Sequence, residues 1–193
     1  MPVSPPGFGP LKPRFDRRRF LQYGMITTVA SLFPAPILAA VERVLTPERH
    51  LSFYNTHTSE SLEICYYRQG YYCTTALARI NYILRDHRTD EIKTIDIRLL
   101  DLLFDISATL QTRSPYHVIS GYRSRASNKM LRRKSKKVAA SSFHMRGMAI
   151  DIRLPGCLTS RLREIASDQQ KGGVGYYPRS DFVHVDTGRV RYW

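Results

Sequence analysis

The sequence predicts an α+β domain in which a small antiparallel sheet packs on helices. Three observations predict it. Short runs rich in β-branched and aromatic residues, at 51–54, 62–67, 116–120 and 182–186, are bounded by turn residues and read as strands. Two segments in the first half carry apolar residues at helical spacing, and a third does so between 158 and 168. Glycine-containing stretches separate these runs, so neither the helical nor the strand period continues across the chain.

In chain order, the first forty residues read as a targeting segment. Arg14-Phe-Asp-Arg17-Arg18-Arg19-Phe20-Leu21 precedes a mostly apolar run from Tyr23 to Ala40, the order of a basic region before an apolar one in a secretory signal. The arginine pair followed by x-Phe-Leu resembles a twin-arginine signal, with Arg17 and Arg18 as the pair read by the translocase; Asp16 departs from the usual Ser or Thr. Pro34 and Pro36 interrupt the apolar run short of the roughly 20 residues of a membrane span, so both a processed signal and a retained anchor stay open. Residues 41–48 are polar, contain Pro47 and read as a linker; 49–193 is the domain.

Within the domain, 51–54 and 62–67 form a hairpin around Asn55–Glu60. Thr74 or Thr75 caps a helix to about Arg85, and Asp96 opens a second with Leu99, Leu102, Leu103, Ile106 and Leu110 on one face. The strand 116–120 ends in the loop Gly121-Tyr122-Arg123-Ser124, and a basic helix follows from Ser127 to about Lys134. Gly172-Gly-Val-Gly175 reads as a bend toward the strand carrying His184. Cys65, Cys73 and Cys157 match no metal ribbon or redox pair; Cys65 and Cys73 form either a disulfide or two free thiols.

The 193 residues suffice for one domain with a core, and 42% apolar with 24% charged residues is ordinary for a globular chain. The net charge of +14 favours an anionic partner. The run Arg125, Lys129, Arg132, Arg133, Lys134, Lys136, Lys137 makes a nucleic-acid module the first rival reading. No nucleic-acid motif accompanies it, and the export signal argues against that partner.

Chemistry concentrates in Ser142-Phe-His144-Met-Arg-Gly147-Met-Ala149-Ile-Asp151 and in Asp181-Phe-Val-His184-Val-Asp186. His144, Asp151 and His184 would give a hydrolytic zinc ion three ligands and one open position. Gly147 would turn the chain sharply into a strand near Ala149. Spacing alone leaves a surface salt link between the histidine and aspartate residues as an alternative.

Ser-x-His-x-x-Gly-x-Ala-x-Asp, followed by an acid three residues before a His, resembles the zinc D,D-carboxypeptidase and endopeptidase superfamily that cuts peptidoglycan peptides. Gly121-Tyr-Arg-Ser124, Asn128–Arg133, Gly172–Pro178 and Phe182–Gly188 resemble more closely its murein endopeptidase K branch, from about Arg49 to Trp193. The resemblance implies the D-Ala-D-Ala peptidase (hedgehog-like) fold, zinc as cofactor and peptidoglycan peptides as substrate, with D,D or L,D specificity open. It implies that Arg123 polarises the scissile carbonyl, that Ser142 and Tyr122 contact substrate, and that Asp181 is the general base, with Asp186 as alternative base or as partner of His184. With the signal, it implies a periplasmic or envelope location. The rival of the same fold is a non-catalytic, polyanion-binding envelope protein.

Overall fold

A computed structural model describes residues 47–136 and 138–193. The signal expected at 1–40, with Arg17 and Arg18, most of the 41–48 linker and Lys137 lie outside the described residues. The described residues belong to one unit, Thr46–Trp193.

The hairpin forms as expected, from β1 (Arg49–Asn55) and β2 (Ser61–Arg68). A two-residue strand, β3 (Tyr71–Tyr72), pairs with β2 and leads into α1 (Thr74–Ile83). Cys73, not a threonine, occupies the cap position of α1, and no side chain caps it. α2 (Ile97–Thr109) starts where expected, with the Asp96 carboxylate accepting from the Arg98 amide. Next come β4 (Tyr116–Ser120) and α3 (Arg125–Lys134), the latter capped by Ser124 Oγ accepting from the Ser127 amide. A 3-10 turn, Phe143–Arg146, precedes β5 (Ala149–Arg153), and α4 (Thr159–Asp168) follows it. The chain ends with β6 (Gly173–Tyr177), β7 (Phe182–Asp186) and β8 (Arg191–Tyr192).

The α+β class holds, and the sheet is larger than expected: eight strands in the order β3-β2-β1-β4-β5-β7-β6-β8. It is also mixed, because β1–β4 and β6–β8 pair in parallel while the other neighbours are antiparallel. The stretch expected to bend at 172–175 instead begins β6.

The core lies where α1, α2 and α4 meet the sheet. Leu99, Leu103 and Ile106 of α2, Ile80 of α1 and Leu162 of α4 are fully buried. Each such side chain contributes about 1.5–3 kcal/mol relative to exposure. Side chains alternate along a strand, so Ile150 and Ile152 of β5 face the same core as Val183 and Val185 of β7. Their neighbours Asp151 and His184 therefore face the other way, and the register pairs these two directly. A one-residue slip would bury both polar groups among the helices and expose the valines.

Candidate metal centre

Register brings Asp151 to His184, and a turn brings His144 to both. Gly147 closes the 3-10 turn at φ +67°, and a Cβ there would lie 2.3 Å from the Thr94 carbonyl oxygen, so only glycine fits. The Ser142 hydroxyl accepts from the His144 amide at 3.3 Å and starts that turn. His144 is then buried, with its Nδ1 2.8 Å from the Gly121 carbonyl oxygen. A carbonyl only accepts, so Nδ1 carries the proton and Nε2 presents a lone pair.

On β7, His184 Nε2 lies 3.0 Å from Asp186 Oδ2, so Nε2 donates and Nδ1 faces inward. The three inward atoms form a triangle. His144 Nε2 to His184 Nδ1 is 3.2 Å, His144 Nε2 to Asp151 Oδ1 is 3.2 Å, and His184 Nδ1 to Asp151 Oδ1 is 2.8 Å. Around a tetrahedral zinc with bonds of about 2.0–2.1 Å, ligand atoms stand roughly 3.3 Å apart, so this set fits the ion. Three lone-pair donors converge in a buried place, an arrangement that calls for a cation at the centre. Burial opposes charge on His184, yet the Asp151 and Asp186 carboxylates outweigh it and push the imidazolium up to about 9. Burial likewise opposes the Asp151 charge, and the two imidazoles hold its carboxyl far below the usual range.

Asp186 is fully buried and saturated with donors. Its Oδ1 accepts from the Gly173 and Gly188 amides and Arg191 Nη1, while Oδ2 accepts from His184 and Arg191 Nη2. Such a carboxylate orients a ligand histidine. Asp181 stands elsewhere: it is exposed, left-handed at φ 49°, and held by Arg153 at 3.3 Å and by the Thr159 hydroxyl. It does not line the cleft over the triangle.

Arg123 does line the cleft, and it does not belong to the basic surface. It is 9% exposed, whereas Arg125, Lys129, Arg132, Arg133 and Lys134 of α3 face solvent. Its Nη2 lies 3.6 Å from Asp151 Oδ2 and donates to Ser120 Oγ at 3.3 Å, while Nη1 reaches Asn128 Oδ1 at 3.5 Å. Its Nε is buried without a protein partner.

Tyr122 packs partly buried against the core and does not line the cleft, because neighbouring residues of an extended loop point to opposite sides. Ser142 lines it, with its hydroxyl oxygen accepting from the His144 amide. His57 and His87 stack on each other at 3.7 Å and take no part in the triangle.

Sequence reasoning missed the aromatic wall. Trp193 lies beside His184 with ring centroids 5.3 Å apart, and its indole N–H donates to the Tyr177 hydroxyl at 2.9 Å. Tyr177 stacks on Phe182 at 4.5 Å. Gly175 pairs directly with His184, and a Cβ on it would come within 2.6 Å of the indole. That glycine, in a strand where a side chain was affordable on propensity grounds, was the signal that something lies flat against β6.

The sequence profile described as "Peptidoglycan L,D-endopeptidase MepK" matches residues 44–193. The chain belongs to this family. The protein of that name from Escherichia coli K12 is 41% identical over 183 residues, spanning 93% of this chain and 99% of its own length. A Haemophilus influenzae relative, named a probable peptidoglycan L,D-endopeptidase MepK, is 38% identical over 180 residues, spanning 92% of this chain and 95% of its own.

Proposed function

We propose that this protein is a zinc-dependent peptidoglycan L,D-endopeptidase that hydrolyses the cross-link between two diaminopimelate residues, and that it is exported to the envelope by the twin-arginine translocase. The observation that carries the reading is the convergence of His144 Nε2, Asp151 Oδ1 and His184 Nδ1 at zinc-ligand spacing, in a family whose named relatives cut that polymer.

His144, Asp151 and His184 would hold the ion, which when bound supplies a Lewis acid and an acidified water. Gly121 and Asp186 fix which nitrogen of each imidazole faces the ion, and His184, held charged by Asp151 and Asp186, would give up its Nδ1 proton on binding. Arg123 stands beside Asp151 and donates to the scissile carbonyl as negative charge develops there, an interaction worth about 3 kcal/mol in the transition state. Tyr177, Phe182 and Trp193 wall the cleft and exclude water from one side. For proton transfer to the leaving amine, Asp181 is the candidate from sequence. To serve, its carboxylate must exchange Arg153 and Thr159 for the cleft.

Incubation with purified muropeptides cross-linked through two diaminopimelates tests the reading. Cleavage that stops on chelation and returns with zinc is expected. Intact substrate with metal-replete protein, or cleavage indifferent to chelator, refutes it.

A further inference from the structure

A second group of ligating side chains sits on the hairpin, away from the triangle. Glu48, His50 and Cys65 each place one ligand atom within 4.8 Å of the other two. The cause is register: His50 of β1 and Cys65 of β2 are directly opposed across the antiparallel pair, beside an irregularity between Arg49 and His50. Opposed residues bring their Cβ atoms to about 4.5–5.5 Å, close enough for an imidazole and a thiol to share one ion.

Glu48 completes the set. Arg68 Nε holds its Oε1 at 2.7 Å, which leaves Oε2 turned toward His50 Nε2 at 3.1 Å and Cys65 Sγ at 3.8 Å. Zinc bonds of about 2.0–2.1 Å to nitrogen and oxygen and 2.3 Å to sulfur give ligand–ligand edges of roughly 3.3–3.6 Å, so the observed spacings need only small side-chain adjustments. Glu63, two residues before Cys65 and opposite Ser52, lines the same open cleft as Glu48 and His50 and adds negative charge. The Cys65 thiol is free. Nothing in the proposed peptidase chemistry uses these residues.

We propose that Glu48, His50 and Cys65 form a second metal site for a borderline divalent cation of the zinc class, pinning the start of the domain to its first hairpin. Thiolate, imidazole and carboxylate together select such an ion over magnesium or calcium, which take oxygen alone. On binding, the Cys65 proton leaves to solvent and the sulfur becomes a thiolate ligand. β1 and β7 are three strand positions apart in the sheet, roughly 14 Å at about 4.8 Å per spacing, so the two sites fill independently. The inference does not rest on the peptidase reading.

Cobalt(II) distinguishes the sites, because only the hairpin site contains sulfur. Full-length protein, kept reduced with a phosphine and titrated with Co2+, is expected to bind two ions per chain and to develop a thiolate-to-cobalt charge-transfer band in the near ultraviolet. Cys65→Ser should lose that band and one equivalent, while Cys73→Ser, Cys157→Ser and His144→Ala keep the band. His50→Gln should weaken the band-forming site by about ten-fold or more, since losing a ligand costs at least as much as losing a ligand's outer partner. Absence of the band at saturating cobalt, or a band that survives Cys65→Ser, overturns the proposal.

Discussion

At the scale of single residues, the two arginine environments predict opposite mutational outcomes. Arg123 is buried against Asp151 with an unpaired Nε, whereas Arg132 and Lys134 are solvated. Arg123→Ala is expected to lower kcat by about 100-fold with zinc content unchanged, the signature of a contact made in the transition state. Arg132→Ala and Lys134→Ala should leave kcat near wild type; equal losses at all three would show general attraction instead. The two aspartates separate similarly. Asp186→Asn removes the carboxylate charge and one of the two acceptor oxygens that fix His184 and Arg191, and should weaken zinc affinity by about 10–100-fold, read by competition with a chromophoric chelator. Asp181→Asn should keep zinc and abolish turnover if that carboxylate moves into the cleft. Wild-type hydrolysis by Asp181→Asn would leave Asp181 as a surface link to Arg153 and Thr159.

At the scale of elements, the loop that carries Arg123 is held at its far end by a buried carboxylate. Asp86 accepts from the amides of Ser124 and Arg88, tying the end of the α1 segment to the start of α3. Burial alone would raise its pKa; the nearby Ser127 side chain and the hydrogen bonds from the Arg88 and Ser124 amides prevail and hold it down to about 2. A carboxyl lowered from 3.8 to about 2 on folding adds stability above 3.8, and that stability disappears as pH falls through 2. The effect is on the order of 2 kcal/mol. Denaturant melts of wild type and Asp86→Asn should therefore converge as pH falls from about 5 to about 1; parallel curves would show that Asp86 is not so perturbed. These elements also show what the sequence makes legible. α2 and the β1–β2 hairpin were readable because each carries its own period, and the His144–Asp151 turn because Gly147 is locally required. β3 and β8 were not, since two residues carry no period. The parallel pairing of β1 with β4 joins residues some sixty positions apart and leaves no local trace. Trp193 was overlooked for the same reason: its backbone bonds to Val174 and Tyr176 are what bring it to His184.

For the molecule as a whole, charge and the proposed export belong together. The solvated basic face of α3 suits a protein working among anionic envelope polymers, and +14 on the full chain extends that attraction beyond the cleft. The twin-arginine route carries folded cargo, so the register that builds the triangle would be complete before export. Replacing Arg17 and Arg18 together by Lys should leave the protein in the cytoplasm, followed by fractionation and immunoblot. Undiminished periplasmic protein would remove that route.

Trp193 is the only tryptophan in the chain, and its ring is 5.3 Å from the His184 imidazole. All indole emission from the protein therefore originates at the cleft, and no label is needed to watch it. Zinc has a closed shell and should alter that emission modestly, whereas cobalt in the triangle should extinguish it. A cobalt ion on the hairpin sits about four strand spacings from β6, roughly 19 Å, where quenching is far weaker. The dimming of one intrinsic fluorophore thus times the filling of the triangle, and the arrival of a peptide against Tyr177 and Phe182, in the same cuvette.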